Sequence, residues 1–336
     1  MKKEKDNLMT SIVLCTYNGV KYLKEQLDSI LEQTILPDEM IICDDGSVDV
    51  TLEIIEEFKK EVKFKVDIYH NEKTLGSTKN FEKAIKLCNG DIIVLCDQDD
   101  IWFPKKIEEI KKTFIEFPNA GYIFSNGLIF DEQLPYLNIN LWDRFLFTEK
   151  QKIKFNKSSL KQLEILLTHN IVTGATMAIN NKIIDLVLPI PEDWIHDDWI
   201  SLFSSAIGYK GIPINKNLIK YRIHKKQLCG IGDYNANRLI NSIKKAVNSN
   251  SASYNKRAEQ LFKIIRHLES KNLLEQEVKK ILEDGIEHLK TRQCIHKHSR
   301  LKRHCFIFKE ILKGHYHKYA NGWKSIAKDC FMNWNK

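Results

Sequence analysis

Apolar and polar positions alternate in blocks along the first third of the chain. Residues 11–18, SIVLCTYN, form an apolar run that opens into a polar loop and predict a buried strand. Residues 20–34 follow with Leu23, Leu27, Ile30 and Leu31 at helical spacing. The form then repeats. DEMIICDDGSVD (38–49) is a strand ending in acids and Gly, TLEIIEEFKK a helix, KFKVDIYHN (63–71) a third strand, NFEKAIKLC (80–88) a helix, and DIIVLCDQDD a fourth strand. Strands separated by helices of this length predict an α/β fold, a mostly parallel sheet with helices on both faces. Right-handed crossovers place every strand's C-terminal end on one rim. Asn18, Asp44, Asp45, Asp97 and Asp99 then meet along a single crevice, the place where open α/β sheets bind ligands.

The middle of the chain, 122–232, is less regular. It holds a Trp- and Phe-rich stretch (140–147), a helix-like SSLKQLEILLTHN, a strand-like VTGATMAI, and a helix whose first turn carries Asp197 and Asp198. Acids there are also favoured by the helix dipole, which is the plain structural reading of that pair. NLIKYRIHKKQLCG reads as a strand followed by a basic loop. Beyond about Tyr234 the sequence turns helical, polar and basic, with candidate helices over 236–248, 253–270, 273–292 and 304–313. This composition shift predicts an α/β domain over 1–234 and a helical region over 235–336.

Charge sharpens that division. The net +8 is unevenly placed: 22 Lys and Arg stand against 9 Asp and Glu from Asn237 to the end, about +13, and 30 against 35 before it. Four uses compete for the basic region. An anionic membrane surface leads and a homo-oligomer contact follows. Nucleic-acid binding is not expected, because no binding motif accompanies the charge. Zinc at CIHKH (294–298) with His304 and Cys305 matches no usual finger spacing. With 43% hydrophobic and 29% charged residues the composition is that of a soluble protein. No apolar stretch approaches about 18 residues, and MKKEKDNLMT lacks the apolar core of a secretory signal. A cytoplasmic location, peripheral on the inner face of the cell membrane, is expected. The eight cysteines form no CxxC pair and read as reduced thiols.

The densest chemistry lies in GDIIVLCDQDDIWFP (90–104), where three carboxylates, Asp97, Asp99 and Asp100, fall within four residues after an apolar strand. Carboxylates this close repel, and a divalent cation with oxygen ligands, Mg²⁺ or Mn²⁺, would bridge them. A solvated acidic turn is the alternative. Seven ordered segments carry a wider likeness: CTYNG (15–19), ICDDGSVD (42–49), GSTKNF (76–81), LCDQDDIWFPKKI (95–107), TGATMA (173–178), HDDW (196–199) and YRIH (221–224). Over about residues 10–232 the chain resembles glycosyltransferase family 2, in particular the bacterial rhamnosyltransferase-type members that build surface polysaccharides.

The resemblance implies a GT-A nucleotide-sugar-binding fold and a role for each position. Cys15, Thr16, Tyr17 and Asn18 would lie near the nucleoside, and Asp45 would accept from a pyrimidine N3–H, with Asp44 the weaker candidate. Lys79 and Asn80 open a helix near the crevice, with Lys79 in reach of phosphate. Asp97, Gln98 and Asp99 form the DxD motif, with Asp99 and Asp97 as cation ligands and His224 completing the set. Asp197 takes the place of the catalytic base, Asp198 being the alternative, and Thr173, Gly174 and Ala175 line the acceptor side. Trp142, Trp194 and Trp199 are core residues first and sugar-stacking surfaces second. The implied activity is metal-dependent inverting transfer of rhamnose or a hexose from a dTDP- or UDP-sugar to a growing, lipid-linked surface glycan. Two other classes remain open: a sugar-nucleotide nucleotidyltransferase, although CTYNGVKYL lacks a Gly-rich phosphate loop, and a silent sugar-binding scaffold.

Overall fold

The structure, a computed structural model, describes residues 8–131, 134–224, 251–295 and 298–331. The chain divides into two compact units, Met1–Gln162 with Asn170–Gly230, and Leu163–His169 with Ile231–Lys336. The expected junction at 234 lies outside the described residues. Segment 163–169 groups with the second unit, although its sequence sits among the elements of the first.

The first unit is built on one nine-stranded sheet. Its strands are β1 (Thr10–Thr16), β2 (Glu39–Asp44), β3 (Lys65–His70), β4 (Ile92–Cys96), β5 (Ile101–Trp102), β6 (Ala120–Asp131), β7 (Leu134–Asn140), β8 (Met177–Asn180) and β9 (Lys210–Arg222). The order is β3-β2-β1-β4-β8-β6-β9-β5, with β7 on β6. From β3 to β4 all pairs are parallel. Connections run through α1 (Leu23–Leu31), α2 (Thr51–Glu61) and α3 (Ser77–Lys86). Ile12, Val13, Leu14, Ile42, Val94 and Leu95 have no exposed surface, as expected of parallel strands covered on both faces.

Past β4 the sheet is mixed. β8 runs antiparallel to β4 and β6, while β6 and β9 pair in parallel over their length with register shifts. The α/β expectation holds, and its parallel order belongs to the β3-to-β4 half. The strand expected over VTGATMAI is shorter, because Thr176 bonds the Thr173 carbonyl through both its N–H and its hydroxyl. That closes a 3₁₀ turn at Gly174–Thr176 before β8 begins. The remaining helices are α4 (Lys106–Glu116), α5 (Leu141–Arg144), α6 (Glu149–Phe155), α7 (Ser159–Thr168), α8 (Ile184–Val187) and α9 (His196–Ala206). The three candidate tryptophans are core. Trp142 packs edge-on to Phe124 and Phe147, and Trp194, Trp199 and Phe203 pack in series.

The second unit contains α10 (Ser251–Ser270), α11 (Gln276–Cys294), α12 (Arg300–Leu312), α13 (His315–Tyr319) and α14 (Trp323–Phe331). The helix expected over 236–248 lies outside the described residues. Ile295, Ile307, Tyr316 and Ile326 form a small core there, with Ile311, Ala320 and Cys330 against it. Two polar ties cross it. Arg292 grips Asp329 with Nε at 2.7 Å and Nη2 at 3.2 Å, and the Tyr316 hydroxyl donates to the same carboxylate at 2.8 Å. Glu310 Oε2 takes His288 Nδ1 at 2.6 Å and His315 Nδ1 at 3.0 Å. These three groups could each offer a ligand atom to a cation. Positive charge already lies beside them, Arg292 against His288 and Lys313 Nζ 3.8 Å from Glu310, which suits a hydrogen-bonded tie. Cys294 and Cys305, named above with the zinc reading, are exposed free thiols.

Candidate active site

The loop after β1 is shaped by its own side chains. Asn18 stands at φ 48°, a left-handed conformation that Asn tolerates, and its Oδ1 accepts from Val48 N at 3.0 Å. Asn18 N in turn donates to Ser47 Oγ at 2.8 Å. Gln98 holds the next residue from both sides, its Oε1 accepting from Tyr17 N at 2.9 Å and its Nε2 donating to Tyr17 O at 3.0 Å. A Cβ at Gly19 would collide with that same amide, so only glycine lets the loop close on Gln98. Tyr17 itself is exposed, with its ring available at the rim.

The acids after β2 are both tied down by protein donors. Asp44 accepts from the hydroxyls of Thr16 and Ser47, from the N–H groups of Gly46 and Ser47, and faces His70 Nδ1 at 3.0 Å. It is the fastening of the loop. Asp45 accepts from Asn71 Nδ2 at 2.8 Å, Leu75 N at 2.7 Å and Gly76 N at 2.9 Å. Asn80 completes this net by donating to Cys43 O and accepting from Asn71, both at 2.8 Å. Lys79, expected near phosphate, donates to Glu82 at 2.7 Å and to the Ile190 carbonyl. Cys15 is held as a thiol by burial, which pushes its pKa well up, and Thr16 spends its hydroxyl on Asp44.

Beyond β4 the situation reverses. Burial pushes Asp97 up to about 7, with the charges of Asp99 and Asp197 adding to the effect. Asp100 is buried and pushed well up by that burial and by the charges of Asp99 and Asp97; its Oδ1 accepts from Arg222 N at 2.9 Å, and its Oδ2 has no partner. Asp99 Oδ2 meets His224 Nε2 at 2.8 Å. Arg222, which follows Tyr221 at the end of β9, donates from Nε to Asp99 O and from Nη2 to Glu25, both at 2.8 Å. Tyr22 stacks beneath Arg222 and His224, with ring centres 4.3 and 4.9 Å away.

Asp197 enters from the first turn of α9. Its Oδ2 accepts from Gly174 N at 2.8 Å and its Oδ1 from Asn170 Nδ2 at 3.0 Å. Burial pushes its pKa up to about 7, helped by Asp198 and opposed by those donors. Asp198 is only half-buried. Gly174 is required here because a Cβ would run into the ring of His196, which stacks on Phe81 at 4.2 Å. Thr173 and Ala175 act through their carbonyls, to Thr176 and to Lys106 Nζ at 2.7 Å. The structure therefore gathers Asp97, Asp99, Asp100, Asp197 and His224, while Lys79 is engaged elsewhere.

Two residues stand among these acids without a role assigned by sequence. Lys106 is wholly buried, with its ammonium 3.7 Å from the centre of the Trp102 ring. Burial holds it down to about 8, and Asp97 and Asp100 pull it the other way. Its signal was a cation at the head of the apolar stripe Ile110 and Phe114. Tyr221, buried at the end of β9 next to Arg222, has its phenol pushed up by burial first and then by the charges of Asp100, Asp97, Asp99 and Asp197.

Such a cluster of acids, backed by one buried ammonium, suits a hard cation with oxygen ligands: the unpartnered Asp100 Oδ2 and the strained ionisation of Asp97 are both relieved by added positive charge. The family model for Glycosyl transferase family 2 matches residues 11–182. The chain is 29% identical over 221 residues to a dTDP-rhamnosyl transferase, RfbG of Shigella flexneri, covering 65% of this chain and 73% of that one. It is 28% identical over 226 residues to the UDP-Glc:alpha-D-GlcNAc-diphosphoundecaprenol beta-1,3-glucosyltransferase WfgD of Escherichia coli, 66% and 80% of the two chains. In fold it resembles TarS 1-349 of S. aureus in complex with UDP-GlcNAc, with a TM-score of 0.55 at 17% identity over 96% of this chain and 82% of that one.

Proposed function

The chain belongs to glycosyl transferase family 2, and from that premise we propose that it transfers a sugar, rhamnose or a hexose, with inversion, from a dTDP- or UDP-sugar to a hydroxyl of a growing lipid-linked surface glycan. One observation carries the reading. Asp197 at the start of α9 is tied to Gly174 N, and the 3₁₀ turn at Gly174–Thr176 packs against β4, the strand that ends at Asp97, so the proposed base and the proposed cation ligand are brought to one end of the sheet although a hundred residues separate them.

The chemistry follows from the two groups. Asp197, oriented by Gly174 N and Asn170, takes the proton of the acceptor hydroxyl. The freed oxygen pair forms the new bond to the anomeric carbon as the bond to the nucleoside diphosphate breaks, one displacement that inverts configuration. Asp97 and Asp99, with His224 beside Asp99, would hold Mg²⁺ or Mn²⁺, which when bound supplies positive charge to the leaving diphosphate. Gln98 fixes Tyr17 at the nucleoside end, and Asp45 shapes the wall there through the loop at 71–76. The named substrates of RfbG and WfgD support a nucleotide-sugar donor, and that of WfgD supports a lipid-diphosphate acceptor. Such an acceptor would hold the enzyme at the inner face of the cell membrane.

The test is product analysis with candidate nucleotide sugars and Mg²⁺ or Mn²⁺. Release of nucleoside diphosphate with an inverted glycosidic linkage is the expected outcome. Release of pyrophosphate would make the protein a nucleotidyltransferase instead.

A further inference from the structure

The outer face of α12 has no use in sugar transfer, yet its side chains are arranged with care. The buried residues of this helix are Arg303, Ile307 and Glu310. On the opposite side, Leu301, Cys305, Phe308 and Leu312 recur at spacings of four, three and four, which puts them in one stripe. Leu301 is 83% exposed, Phe308 60% and Leu312 72%. A helix ordinarily buries one apolar stripe and wets the other side. This one buries its inner face in the small core at Ile307 and still offers a second apolar face outward.

The charges beside that stripe are of one sign. Arg300 borders it on one side, Lys302 and Lys309 on the other, and the helix's single acid, Glu310, is turned inward to His288 and His315. The next long helix repeats the pattern. In α14, Ser325, Ile326 and Asp329 are buried, while Trp323 (69% exposed) and Phe331 (87%) lie outward at a spacing of eight with Lys324 beside them. Exposed apolar surface on this scale marks a docking site.

We propose that the outer faces of α12 and α14 dock on an anionic lipid bilayer, lying in its interface with Leu301, Phe308, Leu312, Trp323 and Phe331 in the acyl boundary. Lys302, Lys309 and Lys324 reach along their alkyl stems to lipid phosphates. Among the described residues no helix is long and apolar enough to cross a membrane, so the attachment is to one surface. A second copy is the poorer occupant, since a seam between two such helices would set cations against cations on both flanks, where paired helices place opposite charges. The inference deepens the membrane side of the proposed function, and a lipid-binding readout separates its failure from failure of the transferase reading.

The experiment is flotation of the full-length protein with phosphatidylcholine vesicles, with and without about a third phosphatidylglycerol. The wild type is expected to float with the anionic vesicles and to remain below with the neutral ones. A Leu301→Ser, Phe308→Ser, Leu312→Ser triple variant is expected to lose about tenfold or more in vesicle partitioning while keeping its melting temperature. Lys302→Glu with Lys309→Glu, which removes no apolar contact, is expected to show a similar loss and guards against misfolding of the first variant. Equal flotation of wild type and both variants overturns the proposal, as does wild-type binding indifferent to lipid charge. Light scattering that shows a wild-type dimer made monomeric by the triple variant, with no lipid binding, assigns the stripe to a second copy and also overturns it.

Discussion

Two acidic strand ends on the same sheet look alike in sequence and are opposite in structure. After β2, Asp44 and Asp45 are met by donors from Thr16, Gly46, Ser47, Asn71, Leu75 and Gly76. After β4, Asp97 and Asp100 are pushed up by burial and by one another's neighbours, and Asp100 keeps an oxygen without a partner. The first pair holds a loop in place with charge that the protein itself satisfies. The second holds carboxyls that burial and neighbouring acids keep from ionising, a strain that added positive charge would relieve.

That contrast can be broken most decisively at the base. Asp197→Asn should cut transfer by about a thousandfold, within the usual range for a general base, while donor binding by calorimetry stays near wild type. The same loss in Asp198→Asn with Asp197→Asn active would move the role by one residue. Next in size, Asp99→Ala should lower turnover by about a hundredfold and abolish the thermal shift given by Mn²⁺, because it removes a ligand of the cation that would oppose the leaving group's developing negative charge.

Stability should separate the two strand ends in sign. Asp44→Ala leaves two hydroxyls and two backbone N–H groups without their acceptor and should cost about 3 kcal/mol in denaturant melts. Asp97→Asn should do the reverse. A carboxyl whose folded pKa is raised above its unfolded value gives stability below the unfolded pKa and loses it as pH rises through about 7. At pH 8 with chelator the neutral amide should therefore stabilise the protein, on the order of 2 kcal/mol, and the gain should vanish near pH 4. An effect of the same size is expected at His196, held down to about 4 by burial. An imidazole whose folded pKa is depressed loses stability as pH falls from its unfolded value toward the folded one. The wild type should lose about 2 kcal/mol between pH 7 and pH 5 on this account, and His196→Phe should flatten that slope.

The alternation of strand and helix from Thr10 to Cys96 was legible because each apolar run and each helical stripe is local. So were the acids at the strand ends and the pair at the head of α9. What separates Asp45 from Asp97 was not, since the donors to Asp45 come from Asn71, Leu75 and Gly76, 26 to 31 positions away. Lys79 read as a phosphate ligand because Ile190, whose carbonyl engages it, lies 111 positions off. The end of β9 was read as a strand in NLIKYR, but β6 and the first half of β9 were hidden for a different reason. They carry Gly, Asn and Lys at positions that sheet pairing tolerates through register shifts, so they showed no clean period of two. Tyr221 and Lys106 lay inside quoted motifs, but only the fold shows that both are buried where the charges of Asp97 and Asp100 act on them.

The clamp between Gln98 and Tyr17 has one further consequence. Because a single side-chain amide grips the backbone of the first loop at both N–H and carbonyl, the loop after β1 and the loop after β4 travel as one body. In the proposed reaction the span from nucleoside to cation would then be a ruler cut to the length of one glutamine. Shortening that ruler by a methylene, with Gln98→Asn, would leave every carboxylate in place and let the two ends of a bound donor be gripped out of step.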